Sequence, residues 1–217
     1  MGLVEKLIEK SKQFLRSYLI NSEVDISLVN YRYEHSLRVA NIGSNLADKE
    51  EADKKIVVLA CILHDVGKFN VEENKDHGRK SADIARPFLN SLDLCKREVN
   101  DICYAIAYHV DGITQYDYVH TLEASIVTDA DNIDRYGINA AYRYIQELET
   151  YEYQKRIELL NRHIKRLNSF KRLCIATTPD GKIIRPLETK NGCEWFKEQI
   201  NLQISIFNKL IEEYKII

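Results

Sequence analysis

Four of the six histidines lie between residues 35 and 109, and each stands on or beside a predicted helix. They are His35, His64, His77 and His109. Metal ions of intermediate hardness prefer neutral imidazoles together with carboxylates. In a helical bundle such ligands come from facing helices, so they are far apart in the sequence. The spacing therefore favours a metal site, although a lone histidine on an apolar helix face more often belongs to the core.

The stretch "CILHDVGKFN", residues 61–70, places His64 and Asp65 at the end of the apolar run "IVVLACIL". Neighbouring residues project about 100° apart on a helix, so these side chains do not share a face, but both can reach a cation lying between them. The carboxylate can also bridge to a second cation. The apolar run would anchor this helix end in the core. A His-Asp pair alone is weak evidence, and Lys68 alone would be an ordinary surface lysine.

The segment "EASIVTDADNID" contains three aspartates, Asp129, Asp131 and Asp134, after small and aliphatic residues. A carboxylate that enters a bundle interior costs several kcal/mol unless it is paired or bound to a metal. Asp129 can instead cap the helix or pair with Arg135, and Asp134 shares nearly one helix face with Asp131. The residues alone leave open which aspartate is a ligand.

The elements that must position these side chains are predicted to be helices. Only 3 prolines and 8 glycines interrupt the chain, and apolar residues recur at intervals of three and four. This pattern predicts an all-α fold, with no convincing strand. The expected helices cover residues 3–20, 28–48, 50–66, 78–91, 95–110, 120–135, 138–170 and 190–215. Gly67 falls where a helix should end, and "TTPDGKIIRPLETKNG" is expected to be a loop with a turn at "PDG".

Composition limits the classes of function. The 217 residues suffice for a single domain, 1–217, with a sizeable core. A formal net charge of -2 gives no global attraction to nucleic acid or to an anionic membrane. Basic residues between 147 and 172 are diluted by glutamates, which favours a solvated helix face over a nucleic-acid surface. The N-terminal segment resembles an amphipathic helix rather than a signal peptide, and no stretch approaches the ~20 apolar residues of a membrane span.

The five cysteines are odd in number and include no Cys-x-x-Cys pair. This favours reduced thiols, and hence a cytoplasmic protein, over a disulfide framework or a zinc ribbon. Cys61 and Cys103 sit among aliphatic residues and are expected to pack as small hydrophobic side chains.

The order His35, then His64-Asp65, then Asp131 resembles the HD-domain superfamily of metal-dependent phosphohydrolases, which is named after this signature. The resemblance covers a core of about residues 28–137. It implies an HD-type helical bundle in which these four residues bind a metal ion and Asp65 is also catalytic.

The phrase "ADNID" is similar to the family's "AD-x-x-D" element, whose first aspartate is the ligand. The resemblance therefore selects Asp131 over Asp129. Residues 138–217 resemble nothing recognisable and are expected to form a C-terminal helical extension.

His77 and His109 resemble the two additional histidines of dinuclear family members, in "H-G-x-x-S-A" and "A-I-x-x-H" contexts. The resemblance implies a cofactor of one or two divalent ions, with Mn, Fe, Mg, Co, Ni and Zn all open. With one ion, these two histidines would contact substrate instead. Lys68, in an "HD-x-x-K" context, is implied as catalytic and phosphate-binding, and Arg38 and Arg79 are weaker candidates for binding substrate.

The expected function is hydrolysis of a phosphate ester or anhydride in a nucleotide or related phosphometabolite. A divalent cation can lower the pKa of a bound water from about 15.7 toward ~7, so no protein nucleophile is required. No Walker loop or dinucleotide fingerprint is present. Two alternatives stay open: a di-iron oxygenase of HD type, and a non-catalytic nucleotide-sensing module. The expected partner is a small phosphate substrate, with no membrane or nucleic-acid partner, and the extension is compatible with a homo-oligomer.

Overall fold

Apolar stripes at helical spacing become the buried faces of helices in the computed structural model, which describes residues 2–177 and 184–215. The helices are α1 (Leu3–Ile20), α2 (Ile26–Glu50), α3 (Lys54–Leu63), α4 (His77–Asn90), α5 (Lys96–Tyr108), α6 (Leu122–Arg135), α7 (Ile138–Leu148), α8 (Tyr153–Leu173) and α9 (Lys190–Tyr214). A 3₁₀ turn, Asn74–Asp76, precedes α4. The all-α prediction is confirmed. None of the described helices is both long enough and apolar enough to cross a bilayer.

Helix α3 is the central element, because all residues from Ile56 to Leu63 are buried. It contacts α1, α2, α5 and α6. Asp53 caps its N-terminus by accepting hydrogen bonds from the backbone N–H groups of Lys55 and Ile56 at 3.0 and 3.2 Å. The apolar run thus anchors the following turn rigidly in the core, as expected.

The prediction of one helix over 138–170 is wrong, because the structure has two helices there, α7 and α8, separated by residues 149–152. The side chain of Arg156, in the first turn of α8, binds the segment between the two helices. Its Nε donates to the carbonyl of Tyr151 at 2.6 Å and its Nη2 to that of Glu149 at 2.9 Å. The Thr150 hydroxyl donates to the carbonyl of Glu147 at 2.8 Å. These bonds satisfy carbonyls that the end of α7 leaves without helical partners.

The segment expected to be only a loop contains two short strands, which is a second correction. Strand β1 (Ile175–Thr177) pairs antiparallel with β2 (Ile184–Pro186), with Ala176 opposite Arg185. The turn predicted at "PDG" lies outside the described residues. The hairpin joins α8 to α9 and brings Arg185 toward the C-terminal end of α5, where its Nη1 donates to the carbonyl of Tyr108 at 2.9 Å.

The expectation that every cysteine is a reduced thiol is also wrong. Cys174, at the end of α8, and Cys193, in the first turn of α9, form a disulfide across the hairpin. Their Cα atoms are 5.8 Å apart. Cys61 and Cys103 are free and buried in the hydrophobic core, as predicted.

Candidate metal centre

Six predicted side chains from five segments meet in one place. His35 comes from α2, His64 and Asp65 from the turn that ends α3, His77 from the start of α4, His109 from the end of α5 and Asp131 from α6. The four histidines are at most 3% exposed and Asp65 is 2% exposed. Helix α3 ends earlier than predicted, so Asp65 lies just beyond the helix, in a turn that points into the bundle.

The first group of ligand atoms surrounds Oδ2 of Asp65. This oxygen lies 3.6 Å from Nε2 of His35 and 3.3 Å from Nε2 of His64. Oδ1 of Asp131 lies 3.1 Å from Nε2 of His35 and 3.8 Å from Nε2 of His64. The two imidazole nitrogens are 3.3 Å apart. Four possible ligand atoms therefore lie close together, and those of His35, His64 and Asp131 are all within 4.8 Å of one another.

The second group surrounds the other oxygen of the same carboxylate. Oδ1 of Asp65 lies 3.0 Å from Nε2 of His77 and 3.9 Å from Nε2 of His109, and those two nitrogens are 3.2 Å apart. Asp65 thus stands between two groups of histidines, with one oxygen toward each. A carboxylate placed in this way could offer one oxygen to each of two cations.

Each histidine is fixed through its other ring nitrogen. Nδ1 of His64 lies 2.7 Å from the carbonyl of Cys61, and Nδ1 of His109 lies 2.7 Å from that of Ile106. Nδ1 of His77 contacts the carbonyl of Asn74. A backbone carbonyl only accepts, so it keeps the proton on Nδ1 and leaves the Nε2 lone pair directed at the cluster.

His35 is fixed by a carboxylate instead of a carbonyl. Its Nδ1 donates to Oδ2 of Asp134 at 2.7 Å. Arg38 binds the same carboxylate, with Nε 2.8 Å from Oδ1 and Nη2 3.1 Å from Oδ2. The guanidinium predicted to bind substrate is therefore engaged with Asp134, the carboxylate that also holds His35.

The electrostatics of the cluster favour ionised carboxylates. Burial opposes ionisation of Asp65, but the positive charge of the adjacent Arg32 guanidinium helps to hold its pKa well below the usual range. Burial also opposes ionisation of Asp131, but the contact with His35 and the positive charge of Arg135 together outweigh burial, so the pKa of Asp131 is lowered. Burial, with the nearby His64 and His77, lowers the pKa of His109. Anionic carboxylates and neutral imidazoles are the forms that bind metal ions.

Three cationic side chains line the mouth of the cluster, in a cleft of about 100 Å³. Arg32 contacts Oδ2 of Asp65. Nζ of Lys68 lies 3.2 Å from Nδ1 of His77, and burial lowers the pKa of this lysine although Asp65 opposes the shift. Arg135 approaches Oδ2 of Asp131 at 4.0 Å. These positive charges make the cleft suited to bind an anion beside Asp65 and Asp131.

Arg79, the other arginine predicted to bind substrate, does not line this cleft. Its Nη1 donates to Oδ1 of Asp111 at 3.0 Å and to the carbonyl of Ile113 at 2.9 Å, and its Nη2 donates to Asp76 at 2.5 Å. These bonds fasten the loop after His109 to the start of α4.

Asp131 and Asp129 point to different surroundings. The carboxylate of Asp129 accepts hydrogen bonds from the backbone N–H groups of Glu188 and Thr189, each at 2.8 Å, and from the Thr189 hydroxyl at 2.7 Å. It joins α6 to the segment that starts α9. A Cβ atom at Gly192 would overlap this carboxylate, so the close approach requires glycine. The choice of Asp131 as the candidate ligand agrees with this geometry.

The sequence interpretation missed Arg32 and the role of Asp134. Arg32 precedes His35 by three residues and Asp134 follows Asp131 by three, so each lies one helical turn from a candidate ligand. That spacing was the available signal.

The donor set fits a resident metal. Oδ1 of Asp65 is buried and makes no hydrogen bond within the described chain, despite lying close to His77. A buried acceptor without a partner costs about 1–3 kcal/mol, and a cation shared with the two histidines would satisfy it. Two combinations, His35 with His64 and Asp131, and His64 with Asp65 and His109, each place three ligand atoms within 4.8 Å of one another.

Fold and cluster together define an all-α protein with a buried His/Asp site able to hold divalent cations. Residues 32–136 match the family model of the HD domain. The predicted resemblance is therefore confirmed, since these residues match an HD domain.

Solved structures share the whole fold. A predicted HD-superfamily hydrolase from an uncultured Thermotogales bacterium superposes with a TM-score of 0.62 at 17% identity, over 93% of this chain and 92% of that one. YpgQ from Bacillus subtilis, whose crystal structure is a complex with ADP, gives 0.63 at 16% identity, over 98% and 97%. An HD-superfamily hydrolase from Bacillus thuringiensis gives 0.62 at 18% identity, over 97% and 96%. At these identities the likeness establishes the fold.

Proposed function

We propose that this protein is a metal-dependent phosphohydrolase that cleaves a phosphate ester or anhydride in a nucleotide or a related phosphometabolite. The observation that carries the proposal is the position of Asp65, with one oxygen toward His35 and His64 and the other toward His77 and His109. Six convergent ligands beside a cationic cleft support a site for two divalent ions and an anionic substrate.

The ions would be held by His35, His64, His77, His109, Asp65 and Asp131. Divalent cations at such a site supply Lewis-acid chemistry, which polarises a phosphoryl oxygen and lowers the pKa of water.

The protein's own side chains would bind and orient the substrate. Arg32, Lys68 and Arg135 line the cleft and would attract phosphate oxygens through their positive charges. Burial of Lys68 strengthens its attraction for an anion, because little water screens the charge. Cys61, directly behind the cluster, is not suited to be a nucleophile, since burial raises the pKa of its thiol.

Two observations favour a nucleotide over a simpler phosphate. The cleft adjoins a larger cavity, and Tyr31 and Arg135 line both spaces. YpgQ, which has a similar fold, was crystallised with ADP. We therefore propose a nucleoside di- or triphosphate as the substrate of this protein.

The test combines elemental analysis with turnover. Protein purified without chelator is expected to contain metal and to release phosphate from a panel of nucleotides and phosphomonoesters when Mn²⁺, Co²⁺, Mg²⁺, Ni²⁺, Zn²⁺ or Fe²⁺ is supplied. Asp65→Ala should lose metal and turnover together, whereas Lys68→Ala should keep its metal and raise KM or lower kcat. Asp93→Ala, in an exposed turn after α4, is the matched control and should behave as wild type.

Normal metal content in the Asp65 variant would refute the ligand assignment. Stoichiometric metal without turnover of any phosphate compound would refute the enzymatic proposal, and oxygen uptake by the iron-loaded protein would then identify the oxygenase alternative.

A further inference from the structure

The cleft at the cluster is too small for a whole nucleotide. Its volume is about 100 Å³, whereas pockets that enclose a drug-sized ligand have volumes of roughly 300–1,000 Å³. On the side of His77 and His109, only about 10 Å³ remains, bounded by Thr177 and Arg185 of the hairpin. That space is about one water molecule. Any substrate larger than a phosphate group must therefore extend away from the hairpin.

An adjoining cavity offers the missing room. It measures about 460 Å³ and lies where α2, α6, α7, α8 and α9 meet. Tyr31 and Arg135 line both this space and the cleft, so the two are neighbours. We call it the side cavity.

The walls of the side cavity combine flat rings with amide groups. Tyr144 stacks on His163 with ring centroids 4.3 Å apart and planes inclined by 23°. Burial and the charge of Arg166 lower the pKa of His163 to about 4, so its ring is neutral at pH 7. Asn139 and Gln203 also line the cavity, and the amide nitrogen of Gln203 already donates to the carbonyls of Tyr136 and Gly137. Aromatic faces stack on planar heterocycles, and an exposed amide such as that of Asn139 can hydrogen-bond to their edges.

A continuous row of side chains connects the cluster to this cavity. Arg32 contacts Asp65 and lies 5.4 Å from the ring centroid of Tyr31. Arg143 of α7 lies 3.9 Å from the same centroid. Arg143 is exposed and makes no ion pair with the residues in 2–177 and 184–215. Its planar guanidinium is therefore available both to stack on a heterocycle and to attract an anion.

Resting on the proposed phosphohydrolase function, we propose that the side cavity binds the nucleobase and sugar of a nucleotide whose phosphates lie in the cleft, and that Arg143 determines specificity for such substrates. The reacting group and the recognised group are thus held by different parts of the chain. Phosphate compounds without a base would bind only the cleft.

The test compares substrates with and without a base. Wild type, Arg143→Ala and a matched control, Arg172→Ala, are assayed with nucleoside triphosphates and with inorganic tripolyphosphate. Arg172 is exposed near the end of α8 and does not line the side cavity. We expect the Arg143 variant to raise KM for the nucleotide roughly tenfold, which a cation–π contact of about 1–2 kcal/mol explains. Its kcat should change less than threefold, and tripolyphosphate kinetics less than twofold.

Metal content and melting temperature equal to wild type would show that Arg143→Ala is folded. Equal losses for both substrates, or no loss for either, would overturn the inference. Turnover of tripolyphosphate or phosphomonoesters without any nucleotide would leave the phosphohydrolase proposal standing and overturn the inference about the cavity.

A wild-type protein that hydrolyses no phosphate compound would refute the proposed function instead. The cavity is then tested by calorimetric titration with ADP. Binding that Arg143→Ala weakens about tenfold and Arg172→Ala leaves unchanged would support the inference. Absence of ADP binding, or equal binding by all three proteins, would refute it.

Discussion

Asp134 offers the sharpest test of how the candidate metal centre is built. Its carboxylate accepts three hydrogen bonds, one from His35 and two from Arg38. In Asp134→Asn only one oxygen remains, and the new amide N–H groups face donors. With the amide oxygen toward His35, the bonds from His35 and from Nη2 of Arg38 are kept and the bond from Nε of Arg38 is lost, whereas the reverse orientation removes the partner of His35. In either orientation the imidazole loses the negative charge that raises its basicity.

Replacing such an outer partner of a ligating histidine typically lowers metal affinity by ~10–100-fold, about 1.4–2.7 kcal/mol. For the Asn variant we expect the lower end, roughly tenfold, because the shape is retained. The assay is competition for Mn²⁺ or Zn²⁺ against a chelating indicator. Urea unfolding of metal-free protein should accompany it, to separate site geometry from stability.

Arg38→Ala is the matched control. It leaves the bond between His35 and Asp134 intact, so metal affinity should stay within about threefold of wild type. Wild-type affinity in Asp134→Asn would refute the assignment of His35 as a ligand oriented by Asp134. An equal loss in both variants would show that the guanidinium, rather than the carboxylate charge, determines the position of the ring.

Three further predictions concern packing and pH. Gly67→Ala should lower both the melting temperature and the metal affinity, because its Cβ would lie 2.8 Å from the backbone nitrogen of Ser81 and push the turn that carries His64 and Asp65 away from α4; differential scanning fluorimetry with and without Mn²⁺ measures both. Thr189→Val should cost about 1–3 kcal/mol in urea unfolding, since the helix cap and a donor to buried Asp129 are lost, while metal content stays normal. Burial lowers the pKa of His163 from 6.5 to about 4. Between these pH values the imidazole is protonated in the unfolded chain and neutral in the folded chain. Its contribution to stability is complete above pH 6.5 and is lost as the pH falls toward 4, by at most ~1.4 kcal/mol per pH unit; His163→Gln should flatten this part of the urea-unfolding profile, and an unchanged slope would contradict the shift.

Helix existence was predictable from the sequence because apolar spacing is a local signal. The expected helices 3–20 and 190–215 correspond to α1 and α9 almost to the residue. The break between α7 and α8 was not predictable in this way, since Arg156 makes it by binding carbonyls five and seven residues earlier. Three-residue strands are likewise too short to show an alternating pattern.

The candidate ligands were predictable from the sequence, but the side chains that hold them in place were not. His35, His64, Asp65 and Asp131 have residue types and spacing that few structural roles require together. The two arginines of α2 have no such signature. Arg32 and Arg38 each lie three residues from His35, yet one reaches Asp65 and the other Asp134. Only the packing of α2 against α6 and the turn after α3 decides between them.

The disulfide between Cys174 and Cys193 shows the same limit. Nothing in their sequence separation of 19 residues indicates that the end of α8 meets the start of α9. That contact follows from how α8 and α9 pack against each other.

The helices after residue 136 supply most of the residues that line the side cavity and not the cleft. The HD-domain match ends at residue 136, and all six candidate metal ligands precede that point. The walls of the side cavity that are not shared with the cleft come largely from beyond it, including Asn139, Arg143, His163 and Gln203. Phe196 and Phe207 of α9 are fully buried, so these walls are fixed to the rest of the fold rather than appended to it. If the side cavity binds the base and sugar, the HD domain determines the reaction and residues 138–217 determine the substrate. Substitutions in α7 should then change the ratio of kcat/KM between nucleotides, while substitutions at the cluster should lower kcat/KM for all of them alike.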